Sequence, residues 1–328
     1  MDISVIGLGL IGGSLLRRLA AAGQQVCGFD ADPATRAAAR TAAARVPAGA
    51  RWRVADTLPD AVTGNGPVVL AVPLPAVPGV LDELHRVGHT DLVTDVTSVK
   101  GPVRDLARRH HTTRFVGGHP MAGREHSGFA ASDAELFTGC AWVLCLEPGE
   151  TPLADWLELA ALVTGLEARV VPATADEHDR AVAAVSHVPH LLAAALTATA
   201  SADPLAGTLA AGSFRDGPRV AASPPALMAA MCGGNATAVT AGLDAVLDSL
   251  GQARTALRAG DPIAALRDWF TPASTARAAW PPRAGAPVDL PATPEALLAL
   301  GRAGGWITAV ADDRRTVTAA HPEPTSPH

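Results

Sequence analysis

The opening residues constrain this chain more than any others. Asp2–Ile6 is a short apolar run that leads without a break into Gly7-Leu8-Gly9-Leu10-Ile11-Gly12. A helical pattern follows, with Leu15, Leu16, Leu19 and Ala20 on one face, and it stops at Gly23. A second strand-like run, Gln25–Phe29, ends on Asp30, 18 residues beyond Gly12. Strand, glycine loop, helix, strand and acid in this order make the dinucleotide-binding half of a Rossmann fold. Each part has a physical task. Gly7 permits the tight turn, Gly9 lets the backbone approach a pyrophosphate, and Gly12 lets the helix pack close to the strand. Leu10 and Ile11 open the helix, whose free N–H groups and partial positive charge face the phosphates. Asp30 accepts hydrogen bonds from ribose hydroxyls and repels a 2′-phosphate, which favours NAD over NADP.

Further strand-like runs occupy residues 67–72, 91–96, 114–116, 141–146 and 168–172, with helical patterns between several of them. This alternation predicts an α/β, doubly wound sheet. Ligands in such sheets collect at the carboxyl ends of the strands. Asp30, Val72 and Pro73, Ser98 and His119 all fall at or just after strand ends. His119 belongs to Val-Gly-Gly-His-Pro-Met-Ala-Gly-Arg-Glu-His-Ser-Gly at residues 116–128, which reads as a loop that leaves its ring little covered.

From residue 176 the alternation gives way to Ala/Leu-rich helices. The first, 176–200, contains Ser186-His187-Val188-Pro189-His190. His187 and His190 lie three apart and are expected to look across one cleft, with Pro189 kinking the helix. No cysteine or carboxylate pattern supplies the further ligands a zinc site needs, so no metal is expected. A polar, turn-rich interruption at 212–225 holds Arg219, whose guanidinium either clamps a substrate carboxylate or pairs with Asp216. Helices at 225–250 and 262–270 are apolar on several faces and are expected to meet a second copy of the chain. Residues 281–292 read as a linker. The tail, with a helix at 294–301 and strands at 306–310 and 316–320, is expected to pack on the helical part. The expected domains are therefore 1–173, 174–280 and a linker plus short α+β tail at 281–328.

Charge and composition narrow the function classes. A net charge of −6 offers no general attraction to nucleic acid or an anionic membrane. With 48% apolar and 18% charged residues, the chain can bury a sizeable core. Cys27, Cys140, Cys145 and Cys232 are scattered without a Cys-x-x-Cys and read as reduced thiols. With no basic leader followed by a cleavage site, the expectation is a cytoplasmic protein. The most apolar stretch, 181–200, is interrupted by Ser186, His187, Pro189 and His190, and reads as a buried helix rather than a membrane span.

Taken together, the glycine loop, residues 95–101, Gly118-His119-Pro120-Met121-Ala122-Gly123, Ser186-His187-Val188-Pro189-His190 and residues 214–223 resemble, in this order, the prephenate/arogenate dehydrogenase family of tyrosine biosynthesis. The resemblance covers residues 1 to about 275. It implies a Rossmann domain, an all-α domain that forms a homodimer, and an active site between them. It also implies an NAD-dependent oxidative decarboxylation of prephenate to 4-hydroxyphenylpyruvate. By the same resemblance, His119 removes the proton of the ring hydroxyl, and Ser98 holds that hydroxyl or His119 itself. Ser186 and His190 contact the substrate, Arg219 and Ser223 bind it from the polar interruption, and Glu125 sits at the mouth.

Two positions depart from the family pattern. Met228 stands where members often carry an aromatic residue. Pro224 follows Ser223 where members often have an acid or amide. Without an acid there to receive an amino group, the keto acid prephenate is favoured over arogenate or 4-amino-4-deoxyprephenate. A 3-hydroxyacid dehydrogenase of the Rossmann-plus-helices kind uses a lysine on the first helix of its second domain, and residues 176–275 contain none. A non-catalytic NAD-responsive protein is the remaining rival, and it would tolerate loss of His119.

Overall fold

The computed structural model describes residues 2–64, 66–124 and 126–323. Strands β1 (Asp2–Ile6), β2 (Gln25–Phe29), β3 (Arg53–Val54), β4 (Val68–Leu70), β5 (Val93–Asp95) and β6 (Phe115–Val116) form a parallel sheet in the order β3-β2-β1-β4-β5-β6. The winding reverses between β1 and β4, which opens a crevice at their carboxyl ends. Ile3, Val5, Val68, Val69, Leu70 and Val93 are buried, as expected where helices cover both faces of a parallel sheet. The helix Leu10–Ala21 lays Leu15, Leu16, Leu19 and Ala20 into the same core.

The remaining strand-like runs do not extend that sheet. Strands β7 (Gly118–Pro120), β8 (Ala141–Cys145), β9 (Arg169–Ala173), β10 (Val288–Pro291), β11 (Trp306–Val310) and β12 (Thr316–Ala320) form a second, mixed sheet in the order β10-β12-β11-β9-β8-β7. His119 therefore lies in a strand, opposite Val143 on antiparallel β8, and not in the exposed loop expected from its small neighbours. Those neighbours are small for a different reason. A Cβ on Gly118 would meet the Asp95 carbonyl oxygen at 2.7 Å, so glycine lets β7 pass close to the end of β5.

The tail also departs from expectation. It docks on the sheet rather than on the helical part, with β11 antiparallel to β9 and Ile307 opposite Val170. Leu297, Leu298, Leu300, Ile307 and Val317 enter the first domain's core. Without β11, the edge of β9 would present unpaired backbone groups, and the tail satisfies them. Part of the expected linker is strand: β10 pairs with β12.

The helical part begins at Ala175–Val182, started by a capping box in which Thr174 and Glu177 bond each other's backbone N–H. A π-helical turn, Ala183–His187, follows, and the helix resumes as Val188–Ala200 with Pro189 in its first turn. Pro189 has no N–H to donate backward, and the wide turn absorbs the misfit where a kink was expected. The single helix expected at 225–250 is two, Pro225–Gly234 and Ala236–Ala256, bent by 93° at Asn235. Gly233-Gly234-Asn235 is a poor run for helix continuation. Pro262–Ala278 closes this part. Its own buried cluster is small, centred on Ala183, Val188 and Val239, while Leu196, Leu247, Ile263 and Phe270 are exposed.

Candidate active site

The glycine loop has the shape its sequence demands. Gly7 adopts φ +97° and donates its N–H to the Phe29 carbonyl at 2.7 Å. A Cβ on Gly12 would lie 1.9 Å from the Gly7 carbonyl oxygen, whereas one on Gly9 would meet nothing within 4 Å. Gly12 is thus required by packing, and Gly9 leaves open backbone for a ligand to approach. Gly9 caps the helix Leu10–Ala21 without a side-chain bond, so the first N–H groups, near Leu10 and Ile11, keep their donors for an anion. Asp30 accepts from Leu8 N at 2.7 Å and from Asp32 N at 2.9 Å, which ties β2 to the loop. Each carboxylate oxygen retains a second lone pair for a ribose hydroxyl. Val72 and Pro73 follow β4 on the rim of the same crevice. These residues fit a dinucleotide. Gly12→Ala is expected to weaken NAD binding at least 10-fold in calorimetric titration, because the loop must open to relieve the 1.9 Å clash.

His119 is anchored to the end of β5 through its neighbour. Gly118 N donates to Asp95 Oδ1 at 3.2 Å, and Gly118 O accepts from Lys100 Nζ at 2.6 Å. Lys100 and Asp95 form a salt bridge with both side chains fully buried. The ring of His119 then bonds a second imidazole, with Nδ1 to His178 Nε2 at 2.8 Å. His178 Nδ1 in turn meets Asp179 Oδ1 at 2.8 Å. Asp179 accepts from the backbone N–H of Lys100 and Gly101, each at 2.8 Å, and so joins the helical part to the first domain. Buried Asn235 donates from Nδ2 to the Asp179 carbonyl at 2.7 Å, and the same atom lies 3.2 Å from His187 Nδ1.

Burial pushes the His119 pKa well below its usual value, and the charges of His178, Lys100 and His187 add to the effect. The imidazole is neutral near pH 7, the form that can accept a proton. Burial likewise lowers His178 and takes His187 down to about 4. For Asp179, burial pushes upward, but the bonds from His178, Lys100 and Gly101 outweigh it and hold the carboxyl below its usual range.

The other expected site residues divide. Ser186 and His190 flank His187 at the π turn, half-buried. His187 is 1% exposed and turns inward toward Asn235, not across a cleft as expected. Its Nε2 and His190 Nδ1 are buried without a hydrogen-bond partner among the described residues. Each unpartnered buried nitrogen costs about 1–3 kcal/mol, which a polar ligand can relieve. Arg219 and half-buried Ser223 bracket a 3-10 turn, Arg219–Ala222, that packs beside Val188–Ala200. Ser98 is half-buried just before the helix Gly101–Arg109, while the described bond of the His119 ring goes to His178. Glu125 lies outside the described residues. Sequence reasoning missed Asp95, Lys100, His178, Asp179 and Asn235. One signal was available: Lys100 is the chain's only lysine.

A family model described as prephenate dehydrogenase, nucleotide-binding domain, matches residues 13–172, and one described as prephenate dehydrogenase, dimerization domain, matches 174–271. The chain is 35% identical over 236 residues to a prephenate dehydrogenase of Bacillus subtilis, a match covering 69% of this chain and 62% of that protein. It is 32% identical to a cyclohexadienyl dehydrogenase of Zymomonas mobilis, covering 79% of this chain and 89% of the relative. The crystal structure of Synechocystis arogenate dehydrogenase superposes with a TM-score of 0.73 at 28% identity, covering 85% of this chain and all of that one.

Proposed function

The chain belongs to the prephenate dehydrogenase family, and we propose that it catalyses the NAD-dependent oxidative decarboxylation of prephenate to 4-hydroxyphenylpyruvate. The observation that carries this reading is a neutral, half-buried His119 fastened to the carboxyl end of β5, in a parallel sheet whose β1 ends in a glycine loop built for a dinucleotide. Gly7, Gly9, Leu10, Ile11, Gly12, Asp30, Val72 and Pro73 hold the cofactor. NAD, when bound, accepts the hydride from C4 of the cyclohexadienol.

As that hydrogen departs with its electron pair, the C4 hydroxyl becomes a protonated carbonyl and its proton becomes strongly acidic. A base of reduced basicity such as His119 suffices to take it. Loss of the ring carboxylate as CO2 then sends an electron pair into the ring, and the C4 oxygen becomes the phenol oxygen of the product. That oxygen needs a proton again, so the one taken by His119 is returned. The net change is hydride transfer and release of CO2, with no proton lost from the oxygen.

Ser98 holds the hydroxyl. Ser186, His190, Arg219 and Ser223 bind the substrate from the helical part, and Glu125 is assigned to the mouth by sequence alone. Pro224, which caps the helix Pro225–Gly234, places no acid beside Ser223 to receive an amino group. The helical part completes its core against a second copy through its exposed apolar faces, forming a homodimer. Purified protein mixed with prephenate and NAD is expected to produce NADH. Parallel assays with arogenate and 4-amino-4-deoxyprephenate rank the substrates, and a large preference for either amino compound overturns the assignment to prephenate.

A further inference from the structure

We infer that His178 and Asp179 are positioning residues that fix the tautomer of His119 and share the proton it takes up, an inference that rests on the proposed reaction only for the proton's source. The tautomers follow from one group that cannot donate. Asp179 is ionised and accepts from two backbone N–H groups as well as from the ring beside it. A carboxylate only accepts, so His178 Nδ1 carries its proton and Nε2 is left with a lone pair. His119 Nδ1, 2.8 Å from that lone pair, must then be the donor. The remaining nitrogen of His119, Nε2, is bare. That is the nitrogen free to accept from substrate.

Proton uptake follows the same line. When the substrate O–H bond breaks and a bond to His119 Nε2 forms, the ring becomes an imidazolium whose Nδ1–H already points at His178. Transfer breaks that N–H bond and forms one at His178 Nε2. The positive charge then rests on His178, bonded directly to the Asp179 carboxylate. The reverse shift restores the proton to the oxygen once CO2 has left, so the sequence needs no outside acid or base. His178 is 3% exposed, so bulk water does not compete for the proton there. The charged groups facing the pair are Lys100 and Asp95 from β5 and the turn after it, and the titratable, neutral His187 faces it from the π turn. Lys100 opposes a positive charge at this position; Asp95 and Asp179 favour it.

The test compares His178→Gln, His178→Leu and Asp179→Asn with the unchanged chain, each checked for NAD affinity and thermal unfolding. Glutamine can still accept from His119 Nδ1 but cannot take the proton onward, so kcat is expected to fall about 10-fold; leucine does neither, and about 100-fold or more is expected. NAD affinity is expected to stay within about twofold of the unchanged chain, as the described bonds of these two side chains go to His119, to each other and to the Lys100 and Gly101 backbone, not to the glycine loop. In Asp179→Asn the acid limb of kcat/KM is expected to move to lower pH, because the carboxylate that favours charge on the pair is gone. A purely structural role would leave that limb in place. Imidazole nitrogen NMR of the free protein is expected to show His119 protonated at Nδ1, shifting to Nε2 in His178→Leu. An Nε2 tautomer in the unchanged chain, equal kcat for the glutamine and leucine variants, or an unmoved acid limb overturns the inference. The tautomer measurement needs no turnover, so a correct tautomer in a protein inert toward prephenate would refute the proposed reaction alone.

Discussion

Replacing His119 by asparagine is expected to lower kcat with prephenate by about 100-fold or more, the scale of lost acid–base catalysis, while NAD affinity stays within about twofold. Asparagine is smaller than histidine and its amide N–H can still bond His178 Nε2, so the strand and the second imidazole keep their places. What it cannot do is accept a proton. Binding, orientation and the hydride acceptor survive, which is why a residual rate remains. The pH dependence sharpens the test. The His119 pKa lies well below the usual value of 6.5, so the neutral base is fully present at pH 7 and is lost only as pH falls through that lowered value. For the unchanged chain, kcat/KM is therefore expected to hold level downward past pH 6.5 and then decline. In the asparagine variant that decline disappears. An unreduced rate in the variant would remove His119 from the chemistry and favour a non-catalytic, nucleotide-responsive protein.

Legibility from sequence followed the range over which each feature is encoded. The glycine loop was plain because its parts lie within thirty residues and each glycine answers a local demand, as Gly12 against the Gly7 carbonyl shows. The placement of His119 was not. Small neighbours read as loop, yet the same smallness lets β7 run against β5, a contact set by Asp95, more than twenty residues away in the chain. The tail misled for a similar reason: nothing within it announces that β9 has an edge to be covered. His178 and Asp179 were hidden inside a helical pattern, where a buried polar pair looks like any capped first turn until the partner strand is placed. Pattern alone could not show that Pro189 would be accommodated by a π turn rather than a kink.

Removing the ammonium of Lys100 is expected to destabilise the fold by about 3–5 kcal/mol, the usual consequence of stranding one member of a buried ion pair. Lys100 and Asp95 have no exposed side-chain surface. Lys100 Nζ donates to Asp95, to Thr97 Oγ1 at 3.2 Å and to Gly118 O at 2.6 Å, so all three ammonium protons are used. Lys100→Met keeps most of the packing volume but leaves the Asp95 carboxylate in a dry site with only neutral partners. The Gly118 carbonyl also loses a donor, and His119 is the next residue along. The double variant Asp95→Asn, Lys100→Met removes both charges and is expected to recover part of the loss, since burying the pair was itself costly. Lys100→Arg is not expected to rescue. A planar guanidinium cannot converge three donors from one atom, and the position is held by the one lysine among the chain's 26 Lys and Arg residues. Urea unfolding followed by circular dichroism measures all three. A methionine variant within about 1 kcal/mol of the unchanged chain would show that the pair contributes no more than an exposed salt bridge does, and that His119 is held by the strand ladder alone.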